Sequence, residues 1–434
     1  MTPQAIGTLG VVALVALTLL RVPLGAAMGI VGLFGYAALD GWDKAFAVFG
    51  STPYGLTNYA FSVLPLFILM GTVATRGGMS REMFDAANAL FSGRRGALTM
   101  ATIGACAAFS AISGSSLATA ATFSQIAVPE MRSRGYNDAL ATGSVAAAGT
   151  LGILIPPSVI MVIYALVAEE SVPALFAAGM IPGVLLAALF VATVWVVARI
   201  HPEWAPASPS MPWRQRLRST AKMWKLVVLF GFAVGGIYSG TFSPTEAAGL
   251  ASFAAMVIAV ASRQFGMRDF FASIGETLRT TAMLMFVITG AWIFAYFIVQ
   301  TRLPVAMVDY IEAAQMPAWA VIVVIVIFYV FLGCILDSVA IVLVTVPVFL
   351  PVVTSLGYDT VWYGILMVVV VEIGLITPPV GLNVFVIRAQ IPDVPLSTIF
   401  RGIGPFLVAD AILVVLLLVF PEIALWLPGV LYGK

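Results

Sequence analysis

The stretches "GILIPPSV" (residues 152–159) and "GLITPPVG" (374–381) decide how this chain is read. Each sets two adjacent prolines inside a long apolar segment. Proline has no amide hydrogen, and its ring collides with the carbonyl four residues back, so a helix is interrupted at both places. In hydrocarbon such a break leaves backbone N–H and C=O groups without partners. It is tolerated only inside protein or beside a watery cavity.

The composition makes these membrane segments. Hydrophobic residues are 61% of 434, charged residues 9%, and the mean hydropathy is +1.07. A soluble domain of this length cannot cover that much apolar side chain, so the chain is a polytopic integral membrane protein. Apolar runs of roughly 20 residues fit helices and are too long for the alternating strands of an outer-membrane barrel. A net charge of +1 gives no footprint for nucleic acid. Cys106 and Cys334 lie in apolar segments and read as packing residues, not as a disulfide or metal framework. His201, the single histidine, sits in a polar linker, which argues against a histidine proton relay. "MTPQAIG" at the start carries no basic n-region and no cleavage site, so the first apolar run reads as a mature span.

The Pro-, Ser- and Arg-rich segment 199–225 splits the chain into halves of similar length, and the halves match. A shift of 222 aligns Ser116 to Pro173 with the second half without a gap. Pro129 meets Pro351, Gly135-Tyr136 meets Gly357-Tyr358, Gly152 meets Gly374, Pro156-Pro157 meets Pro378-Pro379, and Pro173 meets Pro395. Six of the eight Gly and Pro positions in this window recur. Apolar composition would repeat Val on Leu by chance, but not the backbone-setting residues in register. "VPLGAAMG" (22–29) resembles "SPTEAAGL" (243–250) more weakly.

Basic residues orient the halves, because cytoplasmic loops are enriched in Lys and Arg. The linker carries Arg199, Arg214, Arg216, Arg218, Lys222 and Lys225 and is placed inside. Arg94 and Arg95 precede 97–131, and Arg132 and Arg134 follow it, so this segment enters and leaves on the cytoplasmic side. With arms of about 15 residues it reads as a re-entrant hairpin with its tip at "SAISGSS" (110–116). The segment 318–355, near Asp309, Glu312, Asp359 and only one basic residue, Arg302, opens outward with its tip at "ILDS" (335–338). The expected fold is therefore all-α and polytopic, with two inverted repeats, each holding a re-entrant hairpin and a broken helix.

Repeat 1 (1–198) comprises scaffold helices in 1–76, an arm 77–96, the hairpin 97–131, the broken helix 138–168 and a helix 173–198. Repeat 2 (226–434) comprises scaffold helices in 226–300, an arm 301–317, the hairpin 318–355, the broken helix 360–387 and a helix 403–421. Scaffold spans are expected near 4–20, 23–39, 57–75, 226–240, 244–262 and 279–300. Of 21 Lys and Arg, 18 then fall inside and only Lys44, Arg302 and Lys434 outside, with both termini periplasmic. The arms are amphipathic and too charged to span. They read as surface helices joining a fixed scaffold to a mobile hairpin domain, or as ordinary loop helices.

By symmetry the hairpin tips and the two breaks should converge near the bilayer midplane. Half-helix N-termini there offer bare N–H groups to an anion, while freed carbonyls and hydroxyls suit a hard cation such as Na⁺. The candidate binding residues are Ser113, Gly114, Ser115, Ser116 and Thr119 at the first tip and Gly152, Pro156, Pro157 and Ser158 at the first break. Asp337 and Ser338 mark the second tip, and Gly374, Thr377, Pro378, Pro379 and Asn383 the second break. Asp337 is a strong signal because an intramembrane carboxylate is expensive. Glu246 and Glu372 read equally as ion-pair or capping residues. The plainer readings are helix kinks for the prolines and close packing for Ser and Gly at 113–116. No Lys or Arg lies in the four elements, so an anionic solute would be held by N–H groups, hydroxyls and bound cations.

With these residues in hand, the chain resembles the large membrane (M) subunit of tripartite ATP-independent periplasmic (TRAP) transporters. The resemblance rests on "SGSSLATAATFSQIAVPEM" (113–131), "GTLGILIPPSVIMVIYA" (149–165), "GIYSGTFSPTEAAG" (236–249) and "EIGLITPPVGLNVFVI" (372–387), and it covers essentially the whole chain. It implies an ion-transporter-superfamily fold and an elevator mechanism in the bacterial inner membrane. It also implies uptake of small carboxylates coupled to Na⁺, with no other cofactor. Na⁺ is expected near Ser115, Ser116, Gly152, Asp337, Ser338, Gly374 and Thr377. The implied partners are a small four-helix membrane Q subunit and a periplasmic substrate-binding P subunit. No Q-like segment precedes residue 1, so Q is expected as a separate chain. No GxxxxGK[ST] loop is present, which leaves an ion gradient as the energy source. The alternatives are a self-sufficient symporter or exporter of related fold, and a membrane-embedded enzyme. The enzyme would need clustered His, Asp or Cys at membrane depth, and only Asp337 qualifies.

Overall fold

The computed structural model describes residues 1–433; Lys434, one of the cations expected outside, lies beyond them. The chain is all-α. Among the described residues, seven helices are long and apolar enough to cross a bilayer, and eight if the pair bent by 42° at the first break counts as one span. Large apolar side chains such as Leu9, Val12, Phe253, Val257 and Phe331 point outward and stay exposed. A surface of that kind is covered by lipid, and the protein is a multi-pass membrane protein.

The first half opens with α1 (Pro3–Leu19), α2 (Leu24–Asp40), α3 (Trp42–Gly55) and α4 (Val63–Arg76), then the amphipathic α5 (Met79–Phe91). α6 (Ala97–Ser113) and α7 (Ser116–Ser133) follow, then α8 (Asp138–Leu154), α9 (Val159–Ala168) and α10 (Val172–Ile200). α11 (Trp213–Ala221) lies in the linker. α12 (Trp224–Phe230) and α13 (Gly236–Tyr238) are joined by a π-helical turn at Gly231–Gly235. α14 (Pro244–Ala261), α15 (Met267–Gln300) and α16 (Leu303–Ala313) come next, then α17 (Ala318–Gly333) and α18 (Ser338–Ser355). The chain closes with α19 (Thr360–Ile376), α20 (Leu382–Gln390), α21 (Leu396–Val419) and α22 (Glu422–Tyr432).

Two antiparallel helical hairpins stand out. Phe109 and Phe123 meet edge-on at 5.6 Å, and Thr99 Oγ1 donates to Met131 Sδ at 3.5 Å. Both pairs straddle the α6–α7 turn evenly, as antiparallel packing requires. Tyr329 meets Phe349 at 5.9 Å, and Thr345 Oγ1 donates to the Tyr329 hydroxyl at 2.9 Å, which does the same for α17 and α18.

The backbone devices recur 222 residues apart. Ser115 caps α7 and Asp337 caps α18; Asn137 caps α8 and Asp359 caps α19. Gly135 and Gly357 take positive φ, 77° and 81°, and Pro156-Pro157 and Pro378-Pro379 are both cis.

Several boundaries differ from the sequence reading. The arms of the first hairpin are 17 and 18 residues long rather than about 15, and those of the second are 16 and 18. At ~1.5 Å per residue they reach about 24–27 Å, near the ~30 Å of a hydrocarbon core. α15 begins at Met267, twelve residues before 279, because its first turns are helical but polar and hydropathy does not register them. α21 begins at Leu396 rather than 403 for the same reason. The linker is not plain coil: α11 forms within it, and the Arg216 guanidinium donates to the Ser92 carbonyl at 3.1 Å, folding the linker back onto the end of α5. α3 and α22 were not expected. α22 is an 11-residue apolar run, too short to be read as a span.

Candidate functional site

The first tip is built by two residues. Gly114 turns left-handed at φ +58, and Ser115 is extended, so the chain reverses between α6 and α7. Ser115 Oγ accepts from the Ala118 amide at 3.3 Å, and the Ser115 carbonyl accepts from Thr119 Oγ1 at 2.8 Å. The Ser113 and Thr119 hydroxyls stand 2.9 Å apart. Gly152 lets α8 close on this turn: a methyl group there would lie 2.7 Å from the Ser115 carbonyl oxygen. Pro156 and Pro157 have no N–H, so the carbonyls of Gly152 and Ile153 lose their usual helical donors. Ser158, fully buried, restarts the helix by accepting from the Met161 amide at 3.3 Å.

At the second tip, Asp337 Oδ1 accepts from the Ala340 amide at 2.7 Å. Gly374 brings α19 against the end of α17; a methyl there would lie 2.4 Å from Gly333 Cα. Thr377 Oγ1 donates back to the Ile373 carbonyl at 2.6 Å, and Cys334 Sγ reaches the Pro378 carbonyl at 3.3 Å. Gly381, at φ +66, starts α20 with no side-chain cap. The two breaks differ in one respect: Pro156 and Pro157 are buried, whereas Pro378 and Pro379 are exposed.

The halves meet at Ser116. Asn383 Nδ2 donates to Ser116 Oγ at 2.9 Å and lies 3.4 Å from the Ala146 carbonyl. Ser338 Oγ donates to Glu372 Oε1 at 3.1 Å, and Ser116 lies beside the same carboxylate.

A cavity of about 700 Å³ collects both tips. Ser113, Gly114, Ser115, Ser116, Asp337 and Ser338 line it, with Ile153, Val159 and Leu375 from beside the breaks. The other candidates do not line it. Thr119, Gly152 and Asn383 instead touch residues that do. Pro156, Pro157, Ser158, Gly374, Thr377, Pro378 and Pro379 form the breaks themselves.

The sequence reading missed the opposite wall. Arg76 at the end of α4 and Glu276 on α15 line the cavity as a 2.8 Å ion pair, with Thr72, Thr75 and Thr280 beside them. The cavity therefore holds a protein cation, supplied by α4 and not by the hairpins or broken helices. Thr72, Thr75 and Arg76 share one helical face, as do Glu276 and Thr280, so the spacing was a usable signal. Glu276 falls in the polar first turns of α15, ahead of the stretch that hydropathy marks as a span.

The donor set is hard oxygen: hydroxyls, carbonyls freed by proline, and the Asp337 and Glu372 carboxylates. Glu372 Oε2 and Asn383 Oδ1 are buried acceptors with no partner. Such a set fits a hard cation such as Na⁺, while the starts of α7 and α18 and Arg76 fit an anion.

The structure is similar to the crystal structure of the YdaH transporter of Alcanivorax borkumensis, with a TM-score of 0.69 over 98% of this chain and all of that one, at 16% identity. That likeness concerns the fold alone. In sequence, the chain is 38% identical to the C4-dicarboxylate TRAP transporter large permease protein DctM of Pseudomonas aeruginosa, over 86% of this chain and 87% of that protein. It is 33% identical to the ectoine/5-hydroxyectoine TRAP transporter large permease protein UehC of Ruegeria pomeroyi, over 94% of each. Residues 11–423 match the family model of the tripartite ATP-independent periplasmic transporter, DctM component. The chain belongs to this family of TRAP transporter large permeases.

Proposed function

We propose that this chain carries a small organic acid into the cell by Na⁺-coupled elevator transport, as the large subunit of a tripartite system in the bacterial inner membrane. One observation carries the reading: the tips of both hairpins, with Asp337 and the serines of 113–116, face a single cavity that also holds Arg76. The α7 and α18 starts orient N–H dipoles toward bound anion, and Arg76 adds a full charge. Oxygen donors at the tips and breaks take the cations that neutralise the carboxylate. The substrate class follows the relatives, whose named solutes, C4-dicarboxylates and ectoine, are small and carry carboxylates.

Arg76 and Glu276 are cavity-lining residues whose side chains are partly exposed. By the charge bias, the end of α4 and the start of α15 face the cytoplasm, so this conformation opens inward. The two hairpins and broken helices then form the moving body, and α5 and α16 join it to the scaffold. Two antiparallel repeats explain why equivalent devices serve the two faces of the membrane. One cation moving down about 100 mV yields about 2.3 kcal/mol, so two or more Na⁺ drive substantial accumulation. A small membrane subunit and a soluble periplasmic binding protein complete the system, and the latter sets much of the selectivity.

The test is uptake in proteoliposomes holding this chain and its small subunit, with the binding protein outside. Uptake should require an inward Na⁺ gradient and the loaded binding protein. Equal rates with Na⁺ replaced by choline would refute the coupling. Transport by this chain alone would refute the tripartite assignment.

A further inference from the structure

We propose that a cleft between α5, the end of α7 and α11 binds a small organic carboxylate from the cytoplasm and, when filled, restrains the moving hairpin. The site stands on its own residues; its effect on transport rests on the reading above.

The cleft measures about 390 Å³ and shares no lining residue with the cavity between the hairpin tips. Each of its three walls is one face of a helix, with residues three or four apart. α5 presents Arg81, Asp85 and Asn88, and α7 presents Glu130 and Arg134. α11 presents Gln215, Ser219 and Lys222. The linker wall is fixed in place. The Arg216 guanidinium donates to the carbonyls of Ser92 and Met211, both at 3.1 Å, and the Met211 amide donates to Ser92 Oγ at 3.4 Å. The basic residues of the linker place this end of the molecule in the cytoplasm.

Asn88 is 7% exposed and lines the cleft, yet its side-chain amide has no hydrogen-bond partner among the described residues. A polar group so deeply buried is normally paired, so this amide is left for an occupant. Water would satisfy the amide but not the charge. Three cations, Arg81, Arg134 and Lys222, face two carboxylates, Asp85 and Glu130. Arg134 is neutralised by Glu130 at 2.7 Å. Arg81 and Lys222 make no ion pair among the described residues, and both act on the one remaining carboxylate, Asp85. One positive charge is in surplus. A carboxylate balances it through charge-assisted bonds and accepts from Asn88 as well. Phe84, Ile126 and Met211 supply apolar surface for a carbon skeleton, which an inorganic anion would leave uncovered.

The position has a mechanical consequence. α7 belongs to the first hairpin, α5 is the arm, and α11 leads through Lys222 into the scaffold helix α12. An occupant that touches all three ties the hairpin to the arm and the scaffold in this conformation. The imported solute is of the same chemical class, so its accumulation inside fills the cleft and slows further uptake.

The test uses the purified complex of large and small subunits in phosphatidylcholine nanodiscs, in choline medium without Na⁺, titrated calorimetrically with acetate, lactate and butyrate. At least one should bind. Asn88→Leu should weaken it at least about tenfold, the scale of a hydrogen bond to a charged group, while Arg76→Ala in the other cavity should leave it within about twofold. Should Asn88→Leu not fold, Lys222→Gln, at an exposed position, is held to the same outcome. No binding by any of the three acids, an unchanged affinity in the variant, or a loss that follows Arg76 overturns the site. Loss of binding in phosphatidylglycerol nanodiscs overturns it too, because the cleft then belongs to a lipid headgroup. In proteoliposomes, the same acid loaded inside should slow uptake by wild type and not by Asn88→Leu; equal slowing of both overturns the regulatory role. A wild type that transports nothing sinks the transport reading, and the titration still decides the site.

Discussion

Ser116 Oγ accepts a 2.9 Å hydrogen bond from Asn383 Nδ2, although the two residues lie 267 positions apart. Ser116 opens α7 at the first hairpin, and Asn383 is the second residue of α20 at the second break. Both are buried, so water does not compete for the bond. The two halves of the chain are thereby joined at their irregular points, and a displacement of the first hairpin carries the start of α20 with it.

Asp337 does two things that one pair of substitutions separates. It caps α18 and places a carboxylate in the cavity. Asn caps a helix as well as Asp does, whereas Ala costs about 1 kcal/mol. Asp337→Asn should therefore keep the unfolding midpoint but lower Na⁺-driven uptake about tenfold or more, as for a lost ion ligand. Asp337→Ala should lose both. Wild-type uptake by the Asn variant would reduce Asp337 to a cap.

Gly374 is set by backbone, not by a soft side chain. A methyl there would press on Gly333 Cα at 2.4 Å. Gly374→Ala should cost about 1–3 kcal/mol by overpacking. Gly275, with nothing within 4 Å of its added methyl, is the control. Gly275→Ala lies in a helix and should gain about 0.5–1 kcal/mol. Thermal unfolding of the two variants in the same detergent compares them, and equal midpoints would contradict the tight crossing.

The same contrast explains what could be read from the sequence. Gly152, Gly374 and the paired prolines were legible because such residues dictate backbone in any context. Asp337 was legible because a charge in an apolar run needs a reason. Arg76 and Glu276 were legible only as members of polar helix faces, not as a pair. Each sits at the polar end of its helix, and their 2.8 Å pairing depends on how α4 and α15 lie together, which no local pattern encodes. Glu372 was visible but ambiguous, since its partners Ser116 and Ser338 arrive through tertiary packing. α3 carries no clear signature in the sequence because Gly50, Pro53 and Gly55 weaken its helical pattern.

Lys225 fixes the arm. Its ammonium lies 2.7 Å from Glu82 Oε2 on α5 and 2.9 Å from Ser262 Oγ at the end of α14. Both side chains are largely buried. Lys225→Met leaves Glu82 without its partner and should destabilise by about 3 kcal/mol. Adding Glu82→Gln should return much of that loss, because the stranded charge is what costs most. Unfolding midpoints of the two single variants and the double variant close the cycle; strictly additive losses would mean the pair is not coupled.

Arg76 is held by Glu276 in this conformation, with side chains 36% and 52% exposed. That degree of exposure makes the pair weak, on the order of 1 kcal/mol or less, and so readily exchanged. A substrate carboxylate entering the cavity offers Arg76 a second partner of the same chemistry. The two carboxylates then compete, and their competition is visible in kinetics. Arg76→Ala should raise KM or lower the uptake rate about tenfold while leaving the complex assembled, since no buried group loses its partner. Glu276→Gln removes the competitor and should lower KM for the anion. Arg76→Lys keeps the charge but loses the planar fork, and should fall between wild type and Ala. Initial uptake rates against substrate concentration, at fixed Na⁺ and fixed binding-protein excess, distinguish these outcomes. A Glu276→Gln variant with raised KM would show that the pair positions the cavity wall instead of competing with the solute.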